Sequence, residues 1–241
     1  IDLPPDFQPA EVDLIRRVGP YTMTTPERIV HLAASIRYLC MNHIGGAIVE
    51  CGVWRGGSMM AAAYSLLAQG DIGRELFLFD TYEGMPPPQE SDVDLHGGVA
   101  SEYLEANPRT EDDHVWAYAP LDMVKRNLAS TGYPVGRMHF VPGKVEDTLP
   151  HAEIGDIALL RLDTDWYAST KHELETLYDR LVPGGVLIID DYGWWRGSRE
   201  ATDEFLDRLP VRPLLHRIDV AARSCIKPNP LPVVRRSWWK R

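Results

Sequence analysis

Short apolar segments that end at an acidic residue recur along this chain, with helical patterns between them. Four of the five main segments end at Glu50, Asp80, Asp163 and Asp190. The segments lack the alternation of apolar and polar residues that is typical of a strand with one face in water, so both faces of each strand should be covered. Strands that alternate with helices in this way predict an α/β fold, with a mostly parallel sheet covered by helices on both faces.

The apolar runs and their spacing give approximate bounds for the elements. We predict strands at residues 47–51, 76–79, 138–141, 157–162 and 186–189, with two short strands near 214–218 and 223–227. We predict helices that begin near Pro26 and that cover residues 58–68, 121–130, about 169–181 and 199–208. Thr24 and Thr25 are candidates to cap the helix at Pro26. Residues 1–19 should form two helical turns at most, and residues 183–185, Pro-Gly-Gly, a turn into the fifth strand.

We interpret the chain as a single domain, residues 1–241, because no repeat or linker divides it. It has an N-terminal helical extension over about residues 1–45 and a long loop over about residues 84–115. The loop contains three consecutive prolines and a Gly-Gly pair, and it has room for one short helix. Loops of this length are usually functional or mobile, so we predict that it acts as a lid over the site.

The charge of the chain limits its partners. The formal net charge is −10, which argues against nucleic acid and anionic membranes because both require a basic surface, and it leaves small neutral or cationic ligands and metal cations. No apolar run approaches the ~18 residues of a membrane helix. The three cysteines are odd in number and scattered, so we expect a soluble protein of the reducing cytoplasm. The pair Trp238-Trp239 in the C-terminal tail suggests a homo-oligomer.

A glycine-rich loop with Gly52, Gly56 and Gly57 joins the first strand to a helix, and such loops let a ligand approach free backbone N–H groups. Its spacing differs from the G-x-G-x-x-G of dinucleotide sites, although Asp80 would suit the ribose of either cofactor. Glu50 would repel a pyrophosphate, whereas it suits the ammonium group of S-adenosylmethionine. The alternatives are that Glu50 only caps the loop and that the glycines only allow close packing.

Four carboxylates should meet at one edge of the sheet, since Asp163 and Asp165 end the fourth strand, and Asp190 and Asp191 end the fifth. Without a counter-charge they would repel one another, and a divalent cation removes that conflict. Oxygen ligands with no nearby Cys or His favour Mg²⁺. Both Asp190 and Asp191 can be ligands only if the chain turns there, because successive strand residues face opposite sides. Alternatively, Asp191 caps the next segment and Asp165 only begins a helix.

A metal beside a methyl donor would bind the acceptor oxygens and lower the pKa of the acceptor hydroxyl. A nearby carboxylate could then remove the proton as attack proceeds. Asp165 is two residues from Asp163 and can reach the same pocket.

Four segments together resemble one family: residues 49–57, 80–84, 162–167 and 183–192. They are similar to the TylF/MycF/NovP, or macrocin-type, sugar O-methyltransferases, which use S-adenosylmethionine. The resemblance covers roughly residues 20–227, and it is the combination of motifs that is specific. The loop at 84–115 and the C-terminal tail have no clear counterpart.

The resemblance implies a Rossmann-like class I methyltransferase fold with an antiparallel last strand. Glu50 would face the methionine end of the cofactor, Asp80 the ribose, and residues 143–145 the adenine. The implied cofactor-binding residues are Thr22, Met23, Glu50, Gly52, Gly56, Gly57, Ser58, Asp80, Thr81, Gly143, Lys144, Val145 and Asp163. The implied Mg²⁺ ligands are Asp163, Asp190 and Asp191, and the implied general base is Asp165.

We therefore expect an Mg²⁺-dependent O-methyltransferase that acts on a hydroxyl of a sugar, in a glycosylated natural product. The alternative within this chemistry is methylation of a catechol-type phenol, in which the metal would bind the acceptor oxygens in the same way. Two further hypotheses are an NAD-dependent oxidoreductase and a catalytically silent binding module. The first lacks the phosphate-binding spacing and gives the four acids no role, and the second would not need Asp165 beside an intact metal set. Trp194 and Trp195 could stack on a sugar face or simply pack, and His96 in the loop is the second candidate base.

Overall fold

Seven strands form one sheet in the computed structural model, which describes residues 3–111 and 114–230. The strands are β1 (Ala47–Cys51), β2 (Leu76–Asp80), β3 (Met138–Pro142), β4 (Ile157–Leu162), β5 (Leu181–Ile189), β6 (His216–Arg217) and β7 (Arg223–Ile226). Their order is β3-β2-β1-β4-β5-β7-β6. The first five are parallel to one another, and β7 is antiparallel to β5, so the mostly parallel sheet with an antiparallel last strand is confirmed.

The α-helices are α1 (Pro9–Val18), α2 (Pro26–Met41), α3 (Gly57–Ala68), α4 (Ala100–Ala106), α5 (Leu121–Ala129), α6 (Val145–Thr148), α7 (Tyr167–Leu177) and α8 (Arg196–Asp207). They cover both faces of the sheet. Successive strand residues point to opposite faces, so Ile48 packs in a core with α1, α2, α3 and α5, and Val49 packs in a second core with α6, α7 and α8. Among the described residues, no helix combines the length and the apolar character needed to cross a membrane.

The N-terminal region is more helical than its sequence predicts. The helix α1 has 10 residues, nearly three turns, so the expectation of two turns at most is wrong. Although its sequence is mostly polar, Leu14, Ile15 and Val18 form a narrow apolar stripe. This stripe is buried against the helices that cover the sheet. By contrast, α2 begins at Pro26 as predicted, and Thr25 caps it by accepting a hydrogen bond from the backbone N–H of Arg28.

The fifth strand begins at Leu181, five residues earlier than predicted. In the pairing with β4, the register passes from Ile157↔Leu181 to Leu159↔Val186, so extra residues of β5 bulge between these pairs. The predicted turn residues, 183–185, lie in this irregular part. Backbone hydrogen bonds with Lys227, from Gly184 N at 2.8 Å and to Gly185 O at 2.8 Å, keep them in the sheet.

The long segment at 84–115 contains the one short helix expected, α4, and it is attached to the body of the protein. The buried Asp92 carboxylate accepts hydrogen bonds from Gln89 N at 2.7 Å and from Tyr167 N, at the start of α7, at 3.0 Å. Trp166 Nε1 donates to Pro86 O at 3.0 Å. That the segment at 84–115 opens as a lid stays a prediction. Residues 112–113 and the Trp238-Trp239 pair lie outside the described residues.

Gly52 brings the ends of β1 and β4 together. Its φ is +82°, and a Cβ on it would lie 1.8 Å from the backbone oxygen of Asp163. The backbone N–H of Asp163 donates to Cys51 O at 2.8 Å, which closes this approach. Gly52 therefore allows Asp163 to lie at the edge of the sheet where β1 and β4 end.

We predict that Gly52→Ala destabilises the fold much more than Gly70→Ala. Gly70 has a similar φ of +71° but nothing within 4 Å of the added Cβ, so it reports only the backbone cost of about 1–2 kcal/mol. Gly52→Ala must also separate β1 from β4, and we expect the total loss to exceed about 3 kcal/mol. Urea unfolding of both variants measures the difference. Equal losses would show that the strand ends approach less closely than the structure has it.

Candidate active site

A cleft of about 760 Å³ opens at the carboxyl ends of the parallel strands, which is where ligands bind in sheets of this kind. Most of the residues predicted to bind cofactor or metal line it: Thr22, Met23, Gly52, Ser58, Asp80, Thr81, Gly143, Lys144, Val145, Asp163, Asp190 and Asp191. The predicted base, Asp165, lines it as well. Glu50, Gly56 and Gly57 are not among the residues that line the cleft.

Gly56 and Gly57 serve the packing of α3. A Cβ on Gly56 would lie 2.5 Å from a methyl group of Leu128 on α5, and one on Gly57 would lie 2.6 Å from the Cβ of Thr22. The alternative interpretation of these glycines, close packing, accounts for what the structure shows. Gly57 still has an indirect effect on the cleft, because it allows the segment at Thr22 to approach the start of α3.

The Asp80 carboxylate fixes the path of the glycine-rich loop. Its Oδ2 accepts hydrogen bonds from Val53 N at 2.6 Å and Trp54 N at 3.0 Å, and its Oδ1 accepts one from Tyr82 N at 2.6 Å. Burial raises the pKa of Asp80, and these backbone donors oppose the rise. Asp80 therefore shapes the loop before any ligand binds, while it also forms part of the cleft wall.

Glu50 is buried under the cleft, paired with a residue that the sequence alone did not single out. Arg161 Nη1 lies 2.6 Å from Glu50 Oε1 and 2.7 Å from Asp163 Oδ2, and its Nη2 lies 2.7 Å from Asp190 Oδ1. Both Glu50 and Arg161 are buried, at 2 % and 3 % exposure. The sequence signal was an arginine inside the otherwise apolar β4, and the register Glu50↔Arg161 between β1 and β4 places the two side by side.

Acids outnumber cations at this end of the cleft. Glu50, Asp163, Asp165, Asp190 and Asp191 lie around the guanidinium groups of two arginines, on α2 and β4. Burial raises the pKa values of Asp163, Asp165 and Asp191, and repulsion among these acids adds to the rise. Such a cluster is most stable with a further positive charge bound to it.

Arg28, from α2, is the second of these cations and lines the cleft. It forms an ion pair with Asp190 Oδ2 and, through its Nε, with Asp219 Oδ2 at 2.6 Å. The Asp219 carboxylate also accepts hydrogen bonds from Thr25 and from two backbone N–H groups. Arg28, itself paired with Asp219, therefore fixes the position of the Asp190 carboxylate. Metal ligands are commonly oriented by a second group in this way.

The residues present fit a hard divalent cation. One carboxylate oxygen from each of Asp163, Asp190 and Asp191 lies within 4.8 Å of the others. Asp190 Oδ1 is buried and makes no hydrogen bond of good geometry, although the Arg161 guanidinium lies close to it, so it retains capacity for a ligand bond. The strand β5 ends at Ile189, and the chain turns there, which allows both Asp190 and Asp191 to face the cleft.

Asp165 sits beside this trio in a turn with a backbone φ of +64°. Its backbone N–H donates to Asp191 Oδ2 at 3.3 Å, so the turn and the end of β5 are joined. Its side chain lies in the cleft with Asp163 and is close enough to Asp191 and Trp195 to hydrogen-bond with them. A carboxylate in this place can accept a proton from a group bound at the trio.

Aromatic side chains also line the cleft. Trp195 packs edge to face against Trp166, with ring centroids 5.0 Å apart, so packing is the main role of Trp195. Trp194 is 38 % exposed and meets the His96 ring edge to face at 6.1 Å. His96 and Trp194 thus stand together at the rim, where a ring-shaped acceptor could contact them.

We predict that Arg161→Gln destabilises the folded protein by about 3–5 kcal/mol, because it leaves Glu50, Asp163 and Asp190 buried without their shared cation. Arg208→Gln is the matched control, since Arg208 forms an exposed pair with Glu175 at 2.9 Å and should cost no more than about 1 kcal/mol. Urea unfolding without added metal measures both. A loss for Arg161→Gln as small as that of the control would contradict the role given to this cation.

Comparison with known proteins agrees with this geometry. The family model for macrocin-O-methyltransferase (TylF) matches residues 15–225. A rhamnosyl-tetracenomycin-C 4'-O-methyltransferase of Streptomyces olivaceus is 34 % identical over 199 residues, which are 83 % of this chain and 72 % of the relative. The mycinamicin III 3''-O-methyltransferase of Micromonospora griseorubida is 32 % identical over 205 residues, 83 % of this chain and 75 % of the relative.

The solved structure of the O-methyltransferase NovP superposes with a TM-score of 0.73 at 26 % identity, over 89 % of this chain and 88 % of that one. The Rossmann-like class I methyltransferase fold and the family resemblance predicted from the sequence are both confirmed. The family model spans most of the chain, and its members are transferases. This chain therefore belongs to the macrocin-O-methyltransferase (TylF) family and is an O-methyltransferase.

Proposed function

We propose that this protein transfers a methyl group from S-adenosylmethionine to a sugar hydroxyl of a glycosylated natural product, with Mg²⁺ held by Asp163, Asp190 and Asp191. One observation carries the proposal. In a chain of this family, three carboxylate oxygens lie within 4.8 Å of one another at the end of the cleft, and Asp165 lies beside them.

The charge of the cleft supports this methyl donor. The acids at its end would repel the pyrophosphate of a dinucleotide, whereas they attract the positive sulfonium of S-adenosylmethionine. We place the donor along Thr22, Met23, Ser58 and Asp80, with its adenine near residues 143–145, which all line the cleft. The hydroxyl groups of Thr24 and Ser58, 3.4 Å apart, are further polar groups at this end.

We propose a different role for Glu50 from the one that the resemblance implies. It lies behind the cleft wall with its Oε1 on Arg161, so we propose that it fixes the Arg161 guanidinium and does not touch the donor. Arg161 in turn orients Asp163 and Asp190. The donor ammonium would then be bound by other residues, among those that line the cleft.

Asp163, Asp190 and Asp191 would hold the Mg²⁺, which would supply Lewis-acid activation of the acceptor hydroxyl. Asp165 accepts the hydroxyl proton as the oxygen attacks the methyl carbon, and the sulfonium leaves as a neutral thioether. The exposed face of Trp194 supports the acceptor ring at the rim of the cleft. The walls of the cleft, with the segment at 84–115 on one side, exclude water from the methyl group, and we expect that segment to act as the lid.

The acceptor class follows from the relatives and the cleft together. The Streptomyces olivaceus relative is named for a rhamnosyl group, and the present cleft joins acids for a polar hydroxyl to aromatic rings for an apolar ring face. A catechol is the second candidate. The test compares turnover of a rhamnosylated aromatic aglycone with turnover of a catechol at the same concentration. We expect turnover of the first and little turnover of the second. Preference for the catechol would overturn the sugar assignment.

We predict that chelation abolishes turnover. Removal of divalent metal by EDTA should stop methyl transfer, and added Mg²⁺ should restore it, because the acids hold the metal that presents the acceptor. Asp191→Asn should prevent this restoration, whereas Asp122→Asn, a change of an exposed acid at the start of α5, should not. Full turnover by wild-type enzyme after exhaustive chelation would refute the metal requirement and leave the donor assignment standing.

We predict that Asp165→Asn retains the binding of S-adenosylhomocysteine and Mg²⁺ but loses about 10²–10⁴-fold in kcat, the usual contribution of a general base. Steady-state kinetics and calorimetry on the same variant separate the two effects. If the base is elsewhere, the variant turns over nearly normally, and His96 is the next residue to change.

A further inference from the structure

The proposed base lies in a strained turn. At Asp165 the φ of +64° falls in the left-handed region, which side chains other than glycine rarely adopt. Across it, Trp166 N donates to Thr164 O at 2.7 Å, which makes a three-residue γ-turn of the positive-φ type, a rare conformation. Such conformations persist only where the surrounding structure holds them. The contacts of this turn therefore decide where the Asp165 carboxylate lies.

Glu173, on α7, lies beneath the turn. Its side chain is 0 % exposed, and its Oε1 accepts a hydrogen bond from Thr164 Oγ1 at 3.0 Å. Its Oε2 is buried without a hydrogen-bond partner among the described residues. Burial raises the pKa of Glu173 well above its usual range, and although the Thr164 hydrogen bond opposes the rise, nearby acids reinforce it.

The Glu173 carboxyl group does more than fill space. It shares the buried face of α7 with Leu174 and Leu177, where an apolar side chain would bury no polar atom of its own. What the carboxyl group adds, and leucine could not, is an acceptor for the Thr164 hydroxyl. That hydroxyl belongs to the residue directly before Asp165, so the hydrogen bond ties the helix to the strained turn.

We propose that Glu173 is a positioning residue for methyl transfer: by accepting the Thr164 hydrogen bond, it holds the turn that aims Asp165 at the acceptor hydroxyl. This inference rests on the proposed function, in which Asp165 is the base. It gives the second turn of α7 a part in the chemistry although Glu173 itself does not line the cleft.

The test compares Glu173→Leu and Thr164→Val with the conservative Glu173→Gln. The first two remove the hydrogen bond, and we expect kcat to fall about 10–100-fold, as for a reacting group displaced by about 1 Å. Glu173→Gln keeps an acceptor oxygen in a side chain of the same shape and should retain kcat. Thr164 lines the cleft but is not among the residues proposed to hold the donor or the metal, so the affinities for S-adenosylhomocysteine and Mg²⁺ should change by no more than about twofold in all three variants.

Thr202→Val is the matched control. Thr202 is a buried threonine on α8 whose hydroxyl donates to Ser198 O at 2.7 Å, so its loss should lower stability without a change in kcat. The double variant Thr164→Val/Glu173→Leu should be no slower than the worse single variant, because both remove one interaction. If Glu173→Leu does not fold, Thr164→Val and Glu173→Gln decide the question.

Three outcomes would overturn the inference, and they are distinguishable. If Asp165→Asn is inactive while Thr164→Val and Glu173→Leu keep the wild-type kcat, the positioning role is refuted and the proposed base stands. If Asp165→Asn turns over normally, the proposed base and the inference fail together. A slow Glu173→Gln variant, with Thr164→Val unaffected, would also refute a role through the Thr164 hydrogen bond.

Discussion

The Arg161 guanidinium lies where three parallel strands end. Its N–H groups face carboxylates at the ends of β1, β4 and β5. Glu50, Asp163 and Asp190 each come within 2.7 Å of it. A buried guanidinium without these acids would be costly, and so would the acids without the guanidinium. The folded arrangement is stable only when all four are in place, and this same arrangement determines where Asp163 and Asp190 point.

The electrostatics of the cleft follow from this constraint. One arginine cannot balance the acids gathered around it, and Arg28 balances only part of the remainder, since it also pairs with Asp219. The excess negative charge faces the cleft, and it suits the divalent metal and the sulfonium donor that we propose as ligands. The glycine-rich loop completes the cleft, with Asp80 holding the loop backbone from the neighbouring strand. Structure and chemistry thus depend on the same few buried charges.

Much of this was predictable from the sequence, for physical reasons. Buried parallel strands are apolar runs, so β1 and β4 were placed correctly to the residue. The strand ends carry the acids, so the convergence of Asp163, Asp190 and Asp191 followed from the topology. The early start of β5 was not predictable, because Pro-Gly-Gly favours a turn, and it is backbone hydrogen bonds with Lys227, the residue after β7, that keep it in the sheet. The pairing of Glu50 with Arg161 depends on the register of β1 against β4, which a sequence does not state.

The central claim is that Asp163, Asp190 and Asp191 bind a metal while Arg161 holds Asp163 and Asp190 from behind. An anomalous difference map from crystals grown with Mn²⁺ and S-adenosylhomocysteine tests it most directly, since Mn²⁺ takes the oxygen ligands of Mg²⁺ and scatters anomalously. We expect one strong peak among these three carboxylates, with the Arg161 guanidinium still on Glu50. A cleft that holds S-adenosylhomocysteine but shows no Mn²⁺ peak at the three acids would contradict it.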